Sequence, residues 1–141
     1  MDRIVVGVDG SDGARKALET AIDVAAGLGA QVEAICVWSI VYGAGEFAMT
    51  LPMAHSEFEE ASRKALNDLV TSMDTKGVVV QQSIIEGDAA SVLIRASEGA
   101  RMLVVGSRGH GGFVGLLVGS VSHKVIAHAH CPVLVVPMDD A

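Results

Sequence analysis

Two clusters of glycine and serine near the end of the chain have residue types and a spacing that suit anion binding. Nine residues separate the clusters, which read Gly106-Ser107-Arg108-Gly109 and Gly119-Ser120-Val121-Ser122. Glycine lets a backbone approach a ligand closely, and the first N–H groups of a helix have no partner inside the helix. An apolar, strand-like run precedes the first cluster, and a helix-like run follows the second. The pattern therefore predicts a phosphate-binding loop between a strand and a helix.

The sequence excludes two other nucleotide-binding motifs. A Walker A loop needs a Gly-Lys dipeptide, and this chain has none. The segment Gly7-Val8-Asp9-Gly10 lacks the adjacent G-x-G of a dinucleotide fingerprint. The alternative for the loop is a flexible turn that binds nothing, because additional glycines make it more flexible than a cradle requires; these are Gly111, Gly112 and Gly115.

Strand and helix patterns alternate along the whole chain. Apolar runs predict strands at residues 4–8, 32–38, 78–85, 102–105 and 132–136. Apolar residues spaced by three and four predict helices from Ser11 to Gly27 and Gly29, from Phe58 to Met73, from Asp88 toward Gly99 and from Val121 to His128. A long loop is expected at residues 39–52. This alternation predicts an α/β protein in which helices cover both faces of a parallel sheet.

The spacing G-x2-G-x9-G-[ST] resembles the ATP-binding signature of the universal stress protein family. The opening segment, residues 3–11, is similar to the first strand of that family and to the aspartate that ends it, here Asp9. The closing segment, residues 131–137, is similar to the family's last strand. The chain departs from the family at Arg101, where an acidic residue is usual just before the fourth strand.

The resemblance implies a particular fold. It is a three-layer, Rossmann-like α/β structure of the adenine nucleotide alpha hydrolase-like type, with an open, parallel, five-stranded sheet in the order 3-2-1-4-5. We expect one domain over residues 1–141. Asp9 at the end of strand one and Gly106 at the end of strand four would then flank the point where the strand order reverses. Ligands of such sheets bind there, so the two motifs are expected to meet in one crevice.

The resemblance also implies roles for individual residues. Asp9 is expected to contact the nucleotide; the alternative is a carboxylate that caps a helix. Val37 is expected to line the adenine pocket; the alternative is a plain core valine. Gly106 and Gly109 would lie near the ribose and α-phosphate. Gly119 and the N–H groups of residues 120–122 would face the β- and γ-phosphates, to which Ser120 and Ser122 would also donate from their hydroxyls. Arg108 would neutralise phosphate charge or face solvent. The predicted site comprises Gly7, Val8, Asp9, Val37, Val105, Gly106, Arg108, Gly109, Gly119, Ser120, Val121 and Ser122.

The predicted function is ATP-dependent regulation in a stress response, with Mg or Mn carried by the phosphates. Phosphoryl transfer needs charge neutralisation and a group that positions the nucleophile, but the loop contains no lysine and no evident base. We therefore assign no catalytic residue. The alternatives are a slow ATPase and a nucleotide-free, dimeric interaction module, and the choice among adenine nucleotides stays open.

The amino-acid composition restricts the classes of binding partner and the expected location of the protein. The 141 residues include 10 Lys and Arg against 17 Asp and Glu, a net charge of −7, which argues against nucleic acid binding. With no apolar stretch long enough to span a membrane and no secretory leader, a cytoplasmic protein is expected. Cys36 and Cys131 lie in apolar surroundings and are expected to be buried, reduced thiols.

The last two expectations concern metals and assembly. The histidines at positions 123, 128 and 130 do not share one helix face, so no metal site formed by protein side chains is predicted. The apolar segment Pro132–Val136 would be an edge strand without a charge to protect it. Members of the family commonly dimerise through the matching strand, and we expect a homodimer here.

Overall fold

A computed structural model describes residues 2–8, 12–38, 55–107 and 120–137, and within them strands and helices alternate. The strands are β1 (Arg3–Val8), β2 (Gln31–Trp38), β3 (Val80–Glu86), β4 (Met102–Gly106) and β5 (Val133–Val136). The helices are α1 (Asp12–Leu28), α2 (His55–Thr71), α3 (Ala89–Ala96) and α4 (Ser120–His128). The predicted loop at residues 39–52 lies outside the described residues.

The described strands form one parallel sheet. Their order is β3-β2-β1-β4-β5, which confirms the predicted fold class. β1 pairs with β2 on one side and with β4 on the other. The chain therefore winds outward from β1 to β3 and then crosses to the opposite side of β1. The strand order reverses between β1 and β4, which is where sheets of this type bind their ligands.

Helices cover both faces of the sheet because the central strands are apolar on both sides. Successive side chains of a strand point to opposite faces, so Ile4 and Val6 belong to one core cluster and Val5 to the other. The first cluster contains residues of α1 and α2, among them Leu18 and Leu66. The second cluster contains residues of α3 and α4, among them Leu93 and Val125. Such strands have nearly continuous apolar sequences, and this is the pattern that predicted them.

The end of α1 differs from the prediction. Gly29 follows the helix with a φ of +69°, a left-handed conformation that glycine adopts at helix ends. Gly27, which was predicted to end the helix together with Gly29, lies inside α1. That part of the prediction was wrong because α1 continues through Gly27 to Leu28 and is closed around Gly29, where the Ala30 N–H donates to the Ala25 carbonyl at 2.9 Å.

We expect opposite effects from alanine at these two glycines. Gly27→Ala should raise the free energy of unfolding by about 0.5–1 kcal/mol, because a Cβ there meets nothing within 4 Å and alanine favours the helix. Gly29→Ala should lower it by about 1–2 kcal/mol, because its positive φ strains an L-residue. Urea unfolding of both variants measures the difference, and equal effects would contradict the structure.

Three other local features bear on the sequence predictions. Asp88 caps α3 as predicted, and its side chain accepts a hydrogen bond from the Ser91 N–H at 3.0 Å. Cys36 and Cys131 are half-buried rather than fully buried, and neither forms a disulfide. Arg101, the position that departs from the family pattern, forms an ion pair of 2.5 Å with Asp2. None of the described helices has the length and apolar character needed to cross a bilayer.

Candidate functional site

The ends of three strands define the candidate site. The parallel register pairs Val6 of β1 with Val104 of β4, and both strands end close beyond this pair, at Val8 and Gly106. On the other side, Val8 pairs with Cys36 of β2, so the next residue, Val37, lies just past the end of β1. The structure therefore brings the described strand residues of the predicted site together at the carboxyl edge of the sheet.

The apolar residues of the predicted site on these strands pack in or against the hydrophobic core. Val8 is 5% exposed and belongs to the first core cluster, whereas Val105 is 4% exposed and belongs to the second. Val37 is half-buried against the second cluster, as the alternative of a core valine requires. The side chains of Val8 and Val105 therefore face the interior of the protein rather than the edge of the sheet.

Gly7 has a packing role that the sequence did not reveal. A Cβ built at this residue would lie 2.8 Å from Cδ1 of Leu93, closer than real Cβ atoms approach other atoms. Leu93 belongs to α3 and is 3% exposed, so it has little room to move. The missing side chain of Gly7 thus lets α3 pack against β1, at the residue before Val8.

The first turn of α4 is joined to the end of β4 by a side-chain hydrogen bond. The Ser122 hydroxyl donates to the carbonyl oxygen of Gly106 at 2.5 Å, and Ser122 is 4% exposed. The end of β4 is itself fixed to β5, because Gly106 pairs with Val136 and the Ser107 N–H donates to the Val136 carbonyl at 2.8 Å. These bonds hold the start of α4 beside the point where the strand order reverses.

The helix termini at this edge differ in charge. In a sheet of parallel strands joined by helices, each helix begins at the carboxyl edge, where its N-terminus carries a partial positive charge. α1 begins with Asp12 and α2 carries Glu57 in its first turn. Asp88 caps α3, and the N–H and hydroxyl of Ser91 hold the pKa of its carboxyl below the usual value.

The remaining described helix, α4, has no acidic residue in its first turn. The residue before it is Gly119, which has no side chain to cap the helix. Among the described helices, α4 thus has an N-terminus that lacks a carboxylate of its own. Its first N–H groups are suited to an external anion.

Four residues of the predicted site lie outside the described residues: Asp9, Arg108, Gly109 and Gly119. Ser120 begins α4, and Val121 is exposed beside Ser122. The structure thus positions the two ends of the predicted loop, which are the end of β4 and the start of α4.

An aromatic pair near this edge was missed from the sequence. Trp38, the last residue of β2, stacks on Phe58 of α2 with ring centroids 5.9 Å apart and planes 6° from parallel. The sequence signal was present, since Trp38 is the chain's one tryptophan and follows Val37 directly. The pair joins the end of β2 to the beginning of α2.

No group of three or more His, Cys, Asp or Glu side chains in the described part of the chain could hold a metal ion. His130, one of the three histidines considered as metal ligands in the sequence, is half exposed, and its Nε2 lies 3.8 Å from Oε1 of Glu98. Burial raises the pKa of the Cys131 thiol, which favours the neutral form over a metal-binding thiolate.

A doubly wound parallel sheet with a helix N-terminus beside its reversal point defines a Rossmann-like α/β protein. The model of the universal stress protein family matches residues 1–137, and the chain belongs to that family. A universal stress protein of Methanocaldococcus jannaschii is 34% identical over 137 residues, which cover 95% of this chain and 81% of the relative. Some relatives are longer: the chain spans 44% of a universal stress protein of Mycobacterium tuberculosis that it matches at 33% identity.

Solved structures agree with this assignment. A protein of the universal stress protein family from Burkholderia pseudomallei is 30% identical and superposes with a TM-score of 0.70 over 96% of each chain. A universal stress protein crystallised in complex with cAMP is 25% identical and superposes with a TM-score of 0.66 over 98% of each chain. The second of these is a family member with a bound adenine nucleotide.

Proposed function

We propose that this protein is a nucleotide-dependent regulator of a stress response that binds ATP at the carboxyl edge of its sheet. Residues 1–141 act as one cytoplasmic domain in this proposal. The phosphates lie at the N-terminus of α4, beside the end of β4, and carry Mg or Mn with them. The adenosine half lies toward β1 and β2, near Asp9 and Val37.

The observation that carries the proposal is the N-terminus of α4. It lies where the strand order reverses, it is fixed to Gly106 through Ser122, and it has no carboxylate in its first turn. α2 has Glu57 in its first turn and α3 is capped by Asp88, so among these three helices an external anion is favoured at α4. A polyphosphate satisfies this site better than a neutral ligand does.

Binding without efficient catalysis fits the described residues. The carboxylate of Asp88 is occupied by Ser91, and the histidines of α4 lie along its exposed side, so neither supplies a base. A slow ATPase remains the second candidate, because Asp9 and Arg108 could position water and neutralise charge. A turnover assay at saturating ATP separates the two.

Binding is tested by calorimetric titration of protein that has been unfolded, freed of nucleotide and refolded. ATP with Mg should raise the stability of the native state by about 2.7 kcal/mol at a hundredfold excess over its dissociation constant. Titrations with AMP and cAMP show how much the β- and γ-phosphates contribute to affinity. A titration with GTP shows whether the site prefers adenine over guanine. The absence of heat and of a melting shift with millimolar ATP would refute the proposal.

A further inference from the structure

We propose that Ser122 is a positioning residue: its hydroxyl holds the first turn of α4 against the end of β4 and does not donate to the phosphates. This inference rests on the proposed function, because it concerns how the same site is built. In this proposal the Ser122 hydroxyl bonds to another residue of the protein, and the N–H groups of the first turn bind the phosphates.

The donor count of a serine supports this assignment. A hydroxyl has one hydrogen, and the Ser122 hydrogen is directed to the Gly106 carbonyl oxygen at 2.5 Å. Phosphate oxygens are acceptors, so donation to a phosphate would require this bond to break. Ser122 is also 4% exposed, which leaves its side chain facing the protein interior. Keeping the bond to Gly106 therefore conflicts with a direct role on the ligand.

The inward face of α4 shows what the bond adds. Val125 lies three residues after Ser122, on the same helix face, and is fully buried in the second core cluster. Val125 fixes the middle of the helix through packing. Ser122 fixes its first turn, which would otherwise be free to fray because its N–H groups lack partners inside the helix.

Gly106, whose carbonyl accepts the bond from Ser122, is fixed by pairing with β5. Gly106 pairs with Val136 of β5, and the next residue, Ser107, donates its N–H to the same Val136 at 2.8 Å. A bond from Ser122 to this fixed carbonyl gives the start of α4 a defined position relative to the sheet. Without it, the N–H groups of residues 120–122 would not stay aligned toward one anion.

The experiment compares Ser122→Ala with wild type by ATP titration and by hydrogen exchange in nucleotide-free protein. Exchange is followed at residues 124–126, whose N–H groups donate to the first-turn carbonyls of residues 120–122. We expect ATP affinity to fall about tenfold, the size of one buried hydrogen bond. Exchange should be faster in the nucleotide-free variant, and saturating ATP should reduce the difference, because the bound phosphates restore the turn.

Three further variants control the result. Ser122→Thr keeps the hydroxyl and should restore most of the affinity and protection. Ser122→Cys fills the same space with a weak donor and should behave like the alanine variant, and it serves if the alanine variant does not fold. Ser91→Ala removes a comparable hydroxyl bond in the first turn of α3 and should leave ATP affinity unchanged.

The outcomes are distinct. Weaker ATP binding with unchanged exchange in the nucleotide-free protein would overturn the proposal and make Ser122 a direct ligand donor. Wild-type affinity and exchange in both the alanine and cysteine variants would overturn it as well. If wild-type protein binds no nucleotide, the proposed function fails, and the exchange rates still decide whether Ser122 holds the turn.

Discussion

Replacing Gly119 with valine should abolish ATP binding and leave the fold intact. Gly119 directly precedes α4, where the proposed phosphates meet the first N–H groups of the helix. A branched side chain at this residue would occupy the space that the phosphates need. The contacts that hold α4 on the sheet involve Ser122 and Val125, which are both buried, so the substitution leaves them in place.

The measurement combines calorimetric titration at up to millimolar ATP with far-ultraviolet circular dichroism of the same sample. Gly27→Val is the matched control, because it adds the same side chain to an exposed helix residue where a Cβ meets nothing within 4 Å. The control should bind ATP as wild type does. A folded Gly119→Val variant with wild-type affinity would place the nucleotide elsewhere.

The fold could be predicted because its signals are local. Continuous apolar runs gave the buried parallel strands, and the N-cap of α3 was evident from Asp88 and the apolar residues that follow it. The error at Gly27 arose because a glycine can end a helix or lie inside one. In the structure the left-handed conformation that ends α1 falls on Gly29 rather than on Gly27, and the two glycine letters alone do not distinguish the two positions.

The candidate site could be predicted only in outline. The glycine and serine spacing led to the end of β4 and the start of α4, which the structure brings together through Ser122 and Gly106. It gave no indication that the Ser122 hydroxyl bonds to Gly106 or that Gly7 makes room for Leu93. Both contacts join residues far apart in sequence, and a glycine required by packing has the same letter as one required by a ligand.

The Val135→Lys substitution should convert a dimer of this protein into monomers. β5 lies at one end of the described sheet and pairs there with β4 alone, so its outer N–H and C=O groups can pair with a second chain. Its side chains at residues 133–135 are half-buried and apolar. We infer that a second copy pairs with this edge, since a two-fold axis brings the same strand of each copy together. Lysine would then place two like charges close to each other in the interface.

Sedimentation velocity measures the assembly, with circular dichroism to confirm that each variant is folded. Ile85→Lys is the matched control because Ile85 lies on β3, the opposite edge of the sheet, and is 36% exposed. If β5 forms the contact, the sedimenting mass should halve for Val135→Lys and stay at the wild-type value for Ile85→Lys. The reverse result would assign the interface to β3, because the same charge would then separate the subunits only at that edge. A wild-type protein that sediments as a monomer at high micromolar concentration would mean that the β5 edge is covered within its own chain.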